Sequence, residues 1–271
     1  MRPDLHEPFK LIETLDTPKH CNILGTRVDA TSYDDAARLI ITWARTGEAH
    51  YVCAANVHMV MEAWDDPTYQ QVVNGADLVA PDGMPLVWGL RLSGISEAVR
   101  VCGPALTLHV CQAAADSDIP VALYGGTERS LAAFTAFLRD KFPGLRVVCE
   151  IPPPFRPLTP EEDDAYTQQI VASAARIVFV GIGCPKQERW IAEHRARIPA
   201  VMLGVGAAFD FHSGRVKQAP PVLQQMGLEW LYRLCAEPRR LWKRYLKHNP
   251  RFILFFAIQV VRAKLLLPFK R

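Results

Sequence analysis

Two short apolar runs constrain this chain most. Ile177-Val178-Phe179-Val180 closes on Gly181-Ile182-Gly183-Cys184-Pro185-Lys186-Gln187-Glu188, and Ala200-Val201-Met202-Leu203 closes on Gly204-Val205-Gly206-Ala207-Ala208-Phe209-Asp210. Each run has the length of a buried strand. Their glycines let backbone amides approach an anionic ligand closely, and Pro185, where a helix should begin, leaves a positive dipole end at the loop. The same glycines also serve as tight turns in any α/β sheet, so neither loop decides the matter alone.

The rest of the chain repeats the alternation. A strand is expected near residues 23–28, then a helix over 33–45 after Thr31 and Ser32, a strand at 50–54, a helix from Asn56 to about Trp64, and another through Val73 after the Asp66-Pro67 turn. A strand at 77–80 runs into Pro81-Asp82-Gly83-Met84-Pro85 and a further helix. Helix 104–115, strand 121–124, Gly125-Gly126, helix 128–141, strand 146–149 and helix 161–174 complete the rhythm. Such alternation predicts an α/β fold, a Rossmann-like parallel sheet covered by helices on both faces. Ligands of open α/β sheets sit beyond the carboxyl ends of the strands, so the loops to read begin at Asn56, Asp82, Gly125, Gly183 and Gly206.

Charge divides the chain. Of its 31 basic and 28 acidic residues, 11 and one respectively fall in 233–271, leaving the preceding body with 20 basic against 27 acidic. We therefore expect a loose arm over 1–20, an α/β body over 21–232 with a sub-boundary near 115–120, and a basic amphipathic appendage over 233–271. On a helical wheel of 239–247, Arg239, Arg240, Lys243, Arg244 and Lys247 share one arc, and Leu241, Trp242, Tyr245 and Leu246 the opposite one. This is the pattern of an interfacial helix, with Arg239, Trp242, Lys243, Arg244 and Lys247 meeting an anionic membrane surface. The apolar stretch 252–261 is cut short by Arg262 and Lys264, well below the ~20 residues that span a bilayer. On this reading the chain beyond Pro250 can be removed without unfolding the body. Nucleic acid is disfavoured as a partner, because the tail carries aliphatic runs where stacking aromatics would be expected.

Several chemistries are set aside. There is no G-x-G-x-x-G after a strand and no G-K-[ST] phosphate loop. The seven cysteines form no C-x-x-C pair, which fits a reducing compartment rather than disulfides or structural zinc. No H-x-x-x-H occurs among the eight histidines, so no metal and no cofactor is expected. Asp116-Ser117-Asp118 precedes a strand rather than following one. Three polar groups remain. Asp82, held between Pro81 and Gly83, is either a partly desolvated general base or a cap for the next helix. Asn56 either caps its helix or binds a ligand hydroxyl. Arg100, in apolar surroundings, needs an anion, from a substrate or from a structural carboxylate.

These blocks, in this order, resemble the WecG/TagA/CpsF family, glycosyltransferase family 26. The likeness spans residues 22–250 and rests on Asn56, Pro81-Asp82-Gly83, Arg100-Val101-Cys102-Gly103-Pro104, Gly183-Cys184-Pro185-Lys186-Gln187-Glu188, residues 204–210, and Gly227-Leu228-Glu229-Trp230-Leu231-Tyr232-Arg233 through Glu237-Pro238-Arg239-Arg240. It implies an inverting transfer of a sugar from a UDP donor to a polyprenyl-diphosphate-linked acceptor, at the cytoplasmic face of the inner membrane, by a peripherally bound, metal-independent enzyme. It leaves room for a homo-oligomer. Asp82 takes the family's catalytic-base position. Asn56, Arg100 and Gln187 line the pocket, with Gly125, Gly126, Gly183, Lys186, Gly206 and Asp210 on the surrounding loops, and Arg233, Arg240 and Lys243 close over the donor diphosphate. Two positions depart from the family pattern: Ala54 stands where a threonine is common, and Ala105 where an aspartate often follows Gly-Pro. They point either to another sugar, as in the exopolysaccharide branch with its xanthan-type glucuronosyltransferases, or to a non-catalytic nucleotide-sugar-binding or scaffold subunit of a polysaccharide assembly complex.

Overall fold

A computed structural model describes residues 18–214 and 216–266. Most of the expected arm, residues 1–17, and the last five residues of the expected appendage lie outside the described residues. The segment expected as one strand near 23–28 is a hairpin. Strands β1 (His20–Ile23) and β2 (Thr26–Asp29) pair antiparallel around Leu24 and Gly25, both at positive φ. Asn22 fixes that turn, its Oδ1 accepting from the Gly25 amide at 2.7 Å.

The alternation that follows is the one the periodicity predicts. In order come α1 (Tyr33–Thr46), β3 (His50–Ala55), α2 (Val57–Asp65), α3 (Pro67–Asn74), β4 (Leu78–Pro81), α4 (Met84–Leu92), α5 (Gly103–Asp116), β5 (Val121–Gly125), α6 (Glu128–Lys141), β6 (Val147–Ile151), α7 (Pro160–Ala172), β7 (Ile177–Gly181), α8 (Lys186–His194) and β8 (Val201–Gly204). Two short helices, α9 (Ala208–His212) and α10 (Pro221–Gln225), lead to α11 (Glu229–Ala236) and the long α12 (Pro238–Leu266). Local chemistry sets several helix starts: Ser32, Asn56, Asp66, Thr127 and Thr159 each accept a first-turn amide as N-cap.

Six strands form one parallel sheet in the order β4-β3-β8-β7-β5-β6. Strand alternation divides the core in two. Tyr51, Cys53, Val178, Val180 and Met202 face a cluster with α2, α3, α4 and α8, whereas Val52, Ile177, Phe179, Val201 and Leu203 face one built with α1, α5, α6 and α9. Both faces are buried, as a parallel sheet requires.

The last helix belongs to this core more than its sequence suggests. It runs unbroken through Pro250, and its inner stripe, Leu241, Tyr245, His248 and Phe252, is buried. Phe252 joins the cluster of α2 and α4, and Gln259 clasps the first hairpin, accepting from the Leu24 amide at 3.0 Å and donating to the Asn22 carbonyl at 2.7 Å. Leu241 and Tyr245, read from the wheel as bilayer-facing, thus turn to the protein, while Trp242 and Leu246 stay outside. Beyond Pro250, α12 thus packs on the body through Phe252 and Gln259, which argues against removing that stretch without cost. Phe252→Ala should therefore cost about 3 kcal/mol in chemical denaturation. An effect below about 1 kcal/mol would show that the helix rests on the body without contributing to it.

Candidate active site

The carboxyl ends of β3, β4, β7 and β8 bring Asn56, Asp82, Gly183 and Gly206 around one cavity of about 250 Å³. α10, α11 and α12 wall its far side with Gln224, Glu229, Arg233, Arg240 and Arg244. A second, larger cleft of about 680 Å³ adjoins it, and Asn56, Asp82, Arg100, Arg233 and Arg244 line both.

Asp82 sits where β4 hands over to α4, its amide donating to the Ala55 carbonyl at 2.8 Å. The capping alternative fails here, because Gly83 is the N-cap of α4 and no side chain caps that helix. Its carboxylate has one hydrogen-bond partner among the described residues: Arg100 Nη2 donates to Oδ1 at 3.1 Å. The arginine is fully engaged by the protein. Its Nε donates to the Asp82 carbonyl, Nη1 to Gln224 Oε1 at 2.8 Å, and Nη2 also to Glu229 Oε2 at 2.6 Å. Of the two partners expected for Arg100, the structure supplies the structural carboxylates. Burial pushes the Asp82 carboxyl above its ordinary value, Arg100 pulls it back, and Glu229 adds to the rise.

The two glycine loops are arranged differently from the simple anion cradle expected of them. Gln187 Oε1 accepts from both the Gly183 amide, at 3.2 Å, and the Gly206 amide, at 3.1 Å. These amides fasten the loops to each other through one buried side chain instead of pointing at a ligand. Gln187 is oriented in turn by Glu188, whose Oε1 accepts from Nε2 at 2.6 Å and whose Oε2 accepts from the Tyr69 hydroxyl at 3.0 Å. Burial raises the pKa of Glu188. A side chain at Gly183 or Gly206 would meet nothing within 4 Å, so positive φ, not crowding, calls for glycine there. Asn56 also resolves, as a cap: its Oδ1 accepts from the Met59 amide at 3.2 Å while the residue lines both cavities.

The cations that reach the cavities unencumbered are Arg233 and Arg244. Both have a buried Nε without a hydrogen-bond partner, and neither forms an ion pair with a carboxylate among the described residues. Arg233 stacks over Phe211 at 5.4 Å. Burial lowers the pKa of Arg244, the expected sign for a desolvated cation without a counter-ion. Two such guanidiniums beside a carboxylate, at the strand ends of a doubly covered sheet, give the cavity the charge that suits an anionic ligand.

The sequence profile of the glycosyl transferase WecG/TagA/CpsF family matches residues 21–265. The chain belongs to that family. It is also 30% identical, over 220 residues covering 81% of this chain and 83% of the relative, to the N-acetylglucosaminyldiphosphoundecaprenol N-acetyl-beta-D-mannosaminyltransferase of Bacillus spizizenii. The protein is thus a glycosyltransferase of the hexosyl-transferring type.

In this WecG/TagA/CpsF enzyme, several sequence-derived positions fall away from the cavities. Gly125 and Gly126 pack against Gly181 and Phe209, where a Cβ on Gly125 would approach the Gly181 carbonyl to 2.5 Å. Lys186 is exposed at the start of α8 and, like Asp210 of α9, is not among the residues lining either cavity. Lys243 lies on the outer face of α12, 5.6 Å from the Trp242 ring centroid, and lines neither cavity. Arg240 lines the smaller cavity and pairs with Glu237. Arg244, assigned from the wheel to the membrane face, is the correction that matters most: it points inward. Glu229 and Gln224 were missed as Arg100 partners, although Glu229 lies in the block that carried the family likeness.

The structure also assembles a metal-type cluster that the search for paired histidines overlooked. His58, Glu62 and His248 place their ligand-type atoms within 4.8 Å of one another. His248 Nε2 lies 3.0 Å from Glu62 Oε1, and burial, together with Arg244 and the neighbouring His248, holds His58 neutral, with its pKa down at about 3. With Arg244 and Lys247 close by, the cluster works as a polar clasp between α2 and α12.

A pKa raised on folding favours the native state while the group is protonated, and that contribution is lost as pH climbs through the folded-state value. Asp82→Asn should hence be at least as stable as the parent at neutral pH, the difference closing toward pH ~4. If Asp82 works as an anion, the acid limb of kcat/KM should lie above that pH. An acid limb at or below ~4 would take the role away from Asp82.

Proposed function

We propose that this glycosyltransferase moves a sugar from a UDP-sugar to a polyprenyl-diphosphate-linked glycan acceptor, with inversion, in the synthesis of a cell-surface polysaccharide. The observation that carries this reading is that Asp82 lines the same cavity as two guanidiniums, Arg233 and Arg244, that form no ion pair with a carboxylate among the described residues. Asp82 takes the proton of the acceptor hydroxyl as that oxygen attacks the anomeric carbon, and the UDP diphosphate leaves from the opposite face. Negative charge grows on the leaving group in the transition state, and fixed cations aimed at it need no reorganisation at that moment. Arg233 and Arg244 supply this charge, with Arg240 beside them. Arg100 acts by holding Asp82, Gln224 and Glu229 in place. The printed name of the Bacillus spizizenii relative describes a diphosphoundecaprenol-linked acceptor, which agrees with this assignment. Ala54 lines the smaller cavity and leaves room where a hydroxyl is common in the family, consistent with a different donor sugar such as that of the exopolysaccharide branch.

Asp82→Asn should keep UDP binding and fold while lowering transfer by ~10²- to 10⁴-fold, the usual contribution of one positioned base. In the same assay the parent enzyme should keep its rate in excess EDTA, since arginines stand where a divalent ion would otherwise neutralise the diphosphate. Parent-like turnover by Asp82→Asn removes the base, and loss of activity in EDTA restored by magnesium overturns the arginine assignment. Complete absence of donor turnover with any UDP-sugar would favour the scaffold reading.

The body, residues 21–232, then works beside an appendage that closes the site with its inner face and meets the cytoplasmic leaflet with its outer one. Among the described residues no helix is long and apolar enough to cross a membrane. Outside on α12 lie Arg239, Lys243 and Lys247 toward its start and Leu254 and Ile258 further on, with Trp242 and Leu246 between the basic residues. Lys247 also reaches Asp65 at 3.1 Å, so part of its charge is already engaged. Basic residues near an anionic leaflet contribute about 1 kcal/mol each. Arg239→Glu with Lys243→Glu should cut flotation with anionic liposomes at least tenfold and leave neutral-liposome binding little changed. Equal flotation of parent and variant would place the membrane contact elsewhere.

A further inference from the structure

The smaller cavity accounts for a diphosphate and a sugar, but the larger cleft beside it has a different chemistry. Its floor is polar, where Asp82, Arg244 and His58 lie, and its walls are almost wholly apolar. α4 contributes Trp88 and Leu92, the turn after α10 contributes Met226, and the flank of α12 contributes Ile253, Ala257 and Val261. These side chains are wet: Leu92 is 58% exposed, Met226 56%, Ile253 68% and Val261 56%. A concave apolar wall of this size left in water marks a binding site. A soluble sugar would leave that wall uncovered, and a flat bilayer surface would not fill a cleft that reaches in to Asp82. The fitting occupant is an amphiphile with a polar, anionic head at the floor and a flexible hydrocarbon chain along the walls.

We infer that this cleft binds the isoprenoid chain of the acceptor, its head-proximal units lying between α4 and α12, so that the lipid is gripped by protein before it enters the bilayer. The inference rests on the glycosyltransfer reading above and extends it to the part of the substrate that does no chemistry. Its energetic role follows from position. Binding energy from a remote chain helps to hold the acceptor hydroxyl at Asp82, which a freely diffusing head group would not do. Two glycines let the elements around the cleft pack closely. A Cβ at Gly89 would come within 2.6 Å of Ile23 Cδ1 and 3.2 Å of Phe256 Cζ, and one at Gly227 within 2.9 Å of Trp88 Cη2.

The test uses the full chain without membranes, and diphosphate-linked sugar acceptors that carry a methyl group or one to three isoprene units, each below its micelle concentration. KM for the acceptor should fall roughly tenfold or more as the chain grows, because each buried methylene is worth about 0.8 kcal/mol. Ala257→Trp, a change at an exposed position on the cleft wall, should raise KM for the longest acceptor at least tenfold and leave KM for the methyl acceptor and UDP binding unchanged. Trp88→Ala, also at an exposed position, should act in the same direction. If transfer occurs but KM is independent of chain length, or if both variants handle the longest acceptor like the parent, the cleft does not hold the chain. The glycosyltransfer reading survives that outcome. If the variants lose liposome flotation alone, the apolar wall is a membrane contact and the proposal is again overturned. Absence of transfer to every acceptor, the methyl one included, would instead sink the reading of the reaction.

Discussion

Arg100 is the interaction around which the site is built. One guanidinium between the sheet and the C-terminal helices bonds the Asp82 backbone and carboxylate, Gln224 of α10 and Glu229 of α11. A buried arginine without partners would be costly, and two carboxylates around one cation compensate it at short range. The arrangement fixes the direction of the Asp82 carboxylate, and it ties the loop after β4 to helices that arrive more than a hundred residues later. Arg233 lies one helical turn beyond Glu229, so the contact that orients the Asp82 carboxylate also brings a cation to the cavity.

The sheet and its helices were legible because their cause is local. Apolar runs of strand length, cap residues such as Asn56 and Thr159, and glycines at strand ends each act within a few residues of the chain. Asp82 was legible as a polar group at a strand end, but its position between Pro81 and Gly83 left a helix cap and a general base both open, and only the family likeness pointed to the base. The roles of Arg100, Gln187 and Arg244 were less accessible. Nothing near Arg100 in sequence identifies Glu229 as its partner. The amides of Gly183 and Gly206 looked available until a single amide oxygen, that of Gln187, was seen to take both.

Arg244 marks the limit of the helical wheel. The wheel correctly places it beside Arg240 and Lys247, but it has no knowledge of which arc the body will cover. The body covers the arc through Leu241, Tyr245, His248 and Phe252, and Arg244 at its edge turns into the cavity. Lys243, one residue earlier, turns out. A cluster that reads as one basic patch is therefore split between two surfaces with different solvents and different uses. The His58, Glu62 and His248 clasp escaped notice for a related reason: an i,i+4 His-Glu pair gains its third member only when α12 docks on α2.

The clasp of Gln259 on the β1–β2 turn joins the start of the described chain to its last helix. During synthesis the hairpin, the sheet and Asp82 emerge long before that helix does. The nascent body would thus hold Asp82 and the glycine loops but lack Arg233, Arg244 and the wall formed by α12. The cavity is walled on its far side only once the final helices dock, and the hairpin at the other end of the chain is part of the surface that receives them.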